Sequence, residues 1–138
     1  MAELNVMLNE VYFLDHLSVD HLEMVCRSLR LKQYDADEKI IREGKVGNTF
    51  YLLYSGSVRV YQGKTLFRLG ESVGDLGQGD FFGEVALIRH EPRNATVVCL
   101  EPCEVFTLAR SAFETICEDN KEFKIAVGAI ANQRKTHD

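Results

Sequence analysis

The chain has 138 residues, a formal net charge of −5, 46% hydrophobic residues and 27% charged residues. That length suits a single domain with a sizeable core and no need of disulfide or metal staples, and the balance excludes a disordered tail or linker. The acidic sum, with no block of Lys and Arg, argues against nucleic acid as a partner, and no run of about 18 apolar residues is present to span a membrane. Met1-Ala2-Glu3-Leu4-Asn5 lacks the basic start and apolar core of a secretory signal, so a cytoplasmic protein is expected. Cys26, Cys99, Cys103 and Cys117 lie mostly within apolar patterns, and no His pair stands near them at a zinc-like spacing. They read as reduced thiols, with no metal and no resident cofactor.

In chain order, the ends read as helix and the middle as strand. Val11, Phe13, Leu14 and Leu17 suit a short packed turn, and Ser18 can cap a helix carrying Val19, Leu22, Val25, Cys26 and Leu29. This helical lead-in occupies roughly residues 1–30. From about Leu31 to Leu108 short strands alternate with glycine turns. Ile40-Ile41, Phe50-Tyr51-Leu52-Leu53-Tyr54 and Ser57-Val58-Arg59-Val60-Tyr61 come first. Phe67 and Leu69 suggest another strand, followed by turns at Gly70, Gly74, Gly77 and Gly79. Val97-Val98-Cys99-Leu100 and Val105-Phe106-Thr107-Leu108 close the set, which favours a sandwich, roll or barrel. One interruption, Glu84 to about Arg89, predicts a short helix within this all-β middle. Ser111 can cap a helix with Phe113, Ile116 and Cys117, and a second helical stretch carries Phe123, Val127 and Ile130, for C-terminal helices over about 111–134. No internal repeat or linker divides the chain.

The chemistry concentrates at Phe81-Phe82-Gly83-Glu84-Val85-Ala86-Leu87 and Pro92-Arg93-Asn94-Ala95-Thr96-Val97. A glycine-led turn opening a short helix exposes backbone N–H groups, and an Arg beside it suits a phosphate. A guanidinium is charged at any working pH, and its planar fork matches two phosphate oxygens. A carboxylate such as Glu84 accepts hydrogen bonds from sugar hydroxyls. Each residue also has a plainer reading. Arg93 alone could be a surface cation pairing with Glu91 or Glu101, and Glu84 alone a first-turn acid favoured by the helix dipole. Their joint spacing points to a pocket for a phosphorylated ribose.

Gly79-Asp80-Phe81-Phe82-Gly83-Glu84-x-Ala86-Leu87 with Pro92-Arg93-x-Ala95-Thr96-Val97 resembles the phosphate-binding cassette of cyclic-nucleotide-binding domains. Ile41-Arg42-Glu43-Gly44, Phe50-Tyr51-Leu52-Leu53 and Ser55-Gly56-Ser57-Val58 extend the resemblance over nearly the whole chain. Arg110-Ser111-Ala112-Phe113 is similar to the stretch after the last strand in cyclic-nucleotide-dependent protein kinases. The resemblance implies an α+β fold, an eight-stranded, jelly-roll-like β-roll with a short cassette helix and flanking helices. It implies that Glu84 takes the ribose 2′-hydroxyl, that Arg93 holds the cyclic phosphate, and that backbone groups at Gly83, Val85, Ala86, Asn94 and Ala95 complete the cradle. Val73 would lie against the purine.

By the same resemblance the ligand is cGMP or cAMP, and the partner is a kinase catalytic domain in cis or in trans. Position 94 is often Ala in cAMP-reading kinase domains and Thr or Ser in cGMP-reading ones. Its Asn amide can accept from a guanine amine, which favours cGMP slightly, while Gly74 stands where some cGMP readers carry a basic side chain. The lid over the base would be Ile130, His137 or a segment outside this chain, or else the base is left open. Two rivals are a degenerate roll serving as an interaction module and a cyclic-nucleotide-processing enzyme. The latter lacks support, because His16, His21, His90 and His137 show no ligand spacing and no kinase catalytic signature occurs. No residue is assigned a catalytic role.

Overall fold

The computed structural model describes residues 19–83 and 90–119, with Lys121 and Ile125. Helix α1 (Val19–Ser28) is followed by eight strands and by α2 (Arg110–Asp119). The strands are β1 (Arg30–Tyr34), β2 (Lys39–Ile41), β3 (Thr49–Ser55), β4 (Val58–Gln62), β5 (Glu71–Leu76), β6 (Phe81–Phe82), β7 (Thr96–Cys99) and β8 (Cys103–Ala109). They form two four-stranded antiparallel sheets, ordered β1-β8-β3-β6 and β2-β7-β4-β5. This is the expected β-roll with flanking helices. The expected cassette helix, the first turns of the lead-in and the second C-terminal stretch lie outside the described residues.

Strand β3 sets the layering, because successive side chains point to opposite faces. Phe50 and Leu52 join Val25, Leu29, Phe113, Ile116 and Cys117 in a core between the first sheet and the helices. Tyr51 and Leu53 face the roll interior, with Ile41, Val58, Phe82, Val97 and Cys99. Burial on both faces explains why Phe50-Tyr51-Leu52-Leu53 is a continuous apolar run rather than an alternating one.

Two expectations are corrected. Phe67 and Leu69 lie in the loop between β4 and β5, and the strand begins at Glu71. The apolar-x-apolar spacing suggested a strand there. The true strand, Glu-Ser-Val-Gly-Asp-Leu, is a largely exposed sheet edge whose pattern carries little apolar signal. Helix α2 starts at Arg110, one residue before the proposed Ser111 cap. The Arg110 N–H donates to Asn48 O at 2.8 Å, and Ser111 O accepts the Thr115 hydroxyl within the helix at 3.1 Å. A carbonyl from across the fold thus does part of the work assigned to a local side chain.

None of the four cysteines forms a disulfide, and Cys99, Cys103 and Cys117 are buried. The Cys103 thiol donates to Ser57 O at 3.3 Å and Glu101 O at 3.2 Å. Burial, and then the neighbouring Cys103 thiol, push Cys99 up from 9.0 to about 12. The folded chain therefore holds this proton more tightly than the unfolded one. The associated stability is fully present below pH 9.0 and is lost as pH rises toward about 12. Replacing Cys99 by Ala should flatten the fall in urea midpoint across that window, at a cost near neutral pH of about 1 kcal/mol for the small cavity. Chemical denaturation at a series of alkaline pH values checks both effects.

Candidate functional site

The site is built where the connection into β7 crosses the start of β3 and the end of β6. The backbone of Arg93 is fixed first. Its N–H donates to Lys45 O and its carbonyl accepts from Gly44 N, both at 2.8 Å, while Pro92 bridges to Val46. Proline cannot donate, so the pairing passes to Arg93, whose side chain then runs inward over the 44–47 turn. Nη2 donates to Thr49 O at 2.9 Å and Nη1 to Gly83 O at 3.4 Å. The guanidinium thus bridges the two strand ends that β3–β6 pairing brings together through Tyr51 and Phe82. Both contacts are to backbone carbonyls, and together they fix the direction of the guanidinium.

Two glycines make room for it. A Cβ on Gly47 would sit 2.8 Å from Nε and Nη2 of Arg93. Gly83 has φ +80°, and a Cβ there would meet Thr49 O at 3.0 Å and Arg93 Nη1 at 3.2 Å. Tyr51 closes the back of the cradle. Its ring stacks on Phe82 with centroids 5.2 Å apart and planes 15° from parallel. Burial raises the Tyr51 phenol, opposed by the charge of Arg93 and by hydrogen bonds with Thr49 and Arg93. The phenol is therefore neutral near pH 7, with an oxygen that accepts from the guanidinium.

The structure brings Gly83 and Arg93 together, and places Ala95 buried at the start of β7 with Asn94 exposed just before it. Glu84, Val85 and Ala86 lie outside the described residues. Val73 sits at the same level of the second sheet, where Tyr61 of β4 pairs with Thr96 on one side and Ser72 on the other. The β4–β5 register jumps there, from Val60 opposite Gly74 to Tyr61 opposite Ser72, which makes Val73 the extra residue of a β-bulge. A bulge re-aims a side chain out of the sheet alternation. Val73 is 53% exposed, and the space in front of Gly74 is open. Sequence reasoning missed Gly47, Thr49 and Tyr51. Thr49 acts through its carbonyl, which no side-chain pattern reports, whereas the glycine of Gly47-Asn48-Thr49 just ahead of a buried strand was a usable signal for close approach.

Among the described residues no group of three or more His, Cys, Asp or Glu is placed to hold a metal ion, and no helix is long and apolar enough to cross a membrane.

Residues 31–120 match the family model of the cyclic nucleotide-binding domain, and the chain belongs to that family. It is 38% identical over 109 residues to a cAMP-dependent protein kinase regulatory subunit of Candida albicans, covering 79% of this chain and 23% of that protein. It is also 38% identical over 119 residues to isozyme 1 of the cGMP-dependent protein kinase of Drosophila melanogaster, covering 85% of this chain and 16% of that protein. Among solved structures, the regulatory domain of Toxoplasma gondii PKA with cAMP superposes with a TM-score of 0.76 at 30% identity, covering 83% of this chain and 43% of that one. The chain therefore spans well under half the length of these relatives. It is a cyclic nucleotide-binding domain related to the regulatory regions of cyclic-nucleotide-dependent kinases.

The two glycines give separable outcomes. Gly47→Ala pushes only the far end of a flexible side chain, so the melting temperature should stay within a few degrees while cyclic-nucleotide affinity falls about tenfold, or about 1.4 kcal/mol. Gly83→Ala meets backbone at a positive φ and should lose roughly 1–2 kcal/mol of stability as well as affinity. Paired melting curves and titrations of the two variants check the contrast.

Proposed function

We propose that this domain reads a cyclic purine nucleotide through Arg93 and serves as the allosteric regulatory module of a cyclic-nucleotide-dependent protein kinase. The observation that carries the reading is the Arg93 guanidinium, aimed by Thr49 O and Gly83 O beside a positive-φ turn. Arg93 would grip the cyclic phosphate, with backbone groups at Gly83, Val85, Ala86, Asn94 and Ala95 completing the cradle. Glu84 would accept from the ribose 2′-hydroxyl, and Val73 would pack on the base. The ligand is cGMP or cAMP. The exposed amide at Asn94, which can accept from a guanine amine, favours cGMP slightly. The domain works without a cofactor and without chemistry of its own, in the cytoplasm, on a kinase catalytic domain in cis or in trans. The kinship with a cAMP-dependent kinase regulatory subunit and a cGMP-dependent kinase supports that role.

Calorimetric titration with cAMP and with cGMP tests the reading. Arg93→Lys keeps the charge and loses the fork, and should weaken binding at least tenfold, since breaking one partner of a buried charged pair costs about 2–5 kcal/mol. The ratio of the two affinities assigns the base. No binding of either nucleotide would leave the roll as an interaction module, and turnover of the nucleotide would make it an enzyme.

The regulatory half rests on α2. Its first N–H is held by Asn48 O, one residue from the Thr49 carbonyl that aims Arg93. Ligand phosphate drawing Arg93 inward would therefore disturb the anchor of the helix and shift the population of its packing. Amide exchange across residues 111–134 should change on adding nucleotide, and an unchanged pattern would refute this relay.

A further inference from the structure

The loop between β4 and β5 carries an anomaly that the nucleotide site does not use. Thr65 N donates to Arg68 O at 2.9 Å, which leaves Leu66 and Phe67 as the two residues at the hairpin tip. Such positions normally hold Asn, Asp or Gly. Here two large apolar side chains stand 88% and 91% exposed.

The tip is held rigidly. The Glu43 carboxylate accepts from Gly63 N at 3.1 Å and from Lys64 N at 3.0 Å. Gly70 has φ +102° at the neck, where a Cβ would lie 2.0 Å from Gln62 O. A flexible loop would fold Leu66 and Phe67 back onto the roll, whereas this one holds them outward.

Charge around the tip is predominantly basic. Lys64 and Arg68 flank the apolar pair, and Arg42 and Lys45 flank the Glu43 that braces the neck, all four exposed. Against them stand Glu43, engaged with two amides, and Glu71 at the start of β5. This basic collar belongs to a chain whose formal net charge is −5.

We infer that the β4–β5 tip is a docking wedge for an anionic membrane surface, with Leu66 and Phe67 entering the acyl boundary and Lys64, Arg68, Arg42 and Lys45 meeting headgroup phosphates. Three features favour lipid over a protein partner. A convex tip of two side chains needs no complementary pocket in a deformable bilayer, whereas a stable protein interface buries about 800 Å² on each side. Apolar burial joined to a basic collar supplies the two signals that peripheral attachment needs. The Gly63, Lys64 and Thr65 N–H groups are already bonded within the protein, which lowers the penalty for leaving water.

The test is co-sedimentation of the nucleotide-free chain with phosphatidylcholine vesicles, with and without phosphatidylserine. Binding is expected only when phosphatidylserine is present, and should weaken with salt. Phe67→Ser with Leu66→Ser should lower the partition coefficient at least tenfold, and so should Lys64→Glu with Arg68→Glu, both without a change in melting temperature because these side chains are exposed. Failure of the wild-type chain to sediment with phosphatidylserine vesicles would overturn the proposal, as would undiminished binding by the serine variant. Concentration-dependent self-association that the serine variant abolishes would also overturn it, reassigning the tip to contact between copies. Nucleotide is absent throughout, so the result is independent of the ligand reading.

Discussion

The place of the Arg93 guanidinium, within hydrogen-bond reach of Thr49 O and Gly83 O, depends on four stretches of chain meeting at one point. The 44–46 turn pairs with its backbone, Gly47 gives up a side chain to let it pass, β3 begins under it, and β6 ends beside it. Strand-end carbonyls turned from water need donors. A planar group with several fixed N–H vectors supplies two of them from a single side chain. Lysine would deliver a point charge without the fixed angle between donors. The same geometry that satisfies the fold therefore orients the Arg93 fork at the mouth of a glycine turn.

The side proposed to receive the base is set by backbone irregularity rather than charge. A regular β4–β5 ladder would keep Val73 in strict alternation with its neighbours. The bulge breaks that alternation beside Gly74, so an apolar surface and open space occur together at the level of Thr96. Val73 has no polar group, so in its proposed place against the base it would favour a flat purine without telling guanine from adenine. On that proposal, discrimination on the described side would have to come from polar groups, and Asn94 is the one that the sequence places next to Arg93.

Much of this was legible in the sequence because it is carried by residue type. Phe50-Tyr51-Leu52-Leu53-Tyr54 read as a strand from its apolar run, and the cassette residues carry their signal in their joint spacing. What could not be read was carried by backbone. Thr49 contributes a carbonyl, Asn48 caps α2 with another, and both depend on long-range register rather than side-chain chemistry. Strand β5 was hidden for a related reason. As an exposed edge it has no need of alternating apolar residues, whereas the nearby Phe67 and Leu69 offered that pattern without forming a strand. Glycine spoke more clearly: Gly83 was singled out for close approach, and its positive φ agrees.

Strand β3 also links the proposed ligand site to α2. Tyr51 faces Arg93 and the roll interior, while Phe50 and Leu52 face Phe113 and Ile116 of α2. Adjacent residues of one buried strand thus serve the two cores, and packed interiors transmit displacement rather than absorb it. Moving a two-state equilibrium from 1:99 to 99:1 requires about 5.5 kcal/mol of differential binding. A single buried charged pair is worth about 2–5 kcal/mol when broken. In the proposed mechanism Arg93 alone would therefore fall somewhat short of a full switch, and the remainder would have to come from groups that engage the phosphate only in the ligand-favoured state. Backbone N–H groups of a glycine-led turn suit that role, since they add charge-assisted hydrogen bonds without a second buried cation that would repel Arg93 in the empty site.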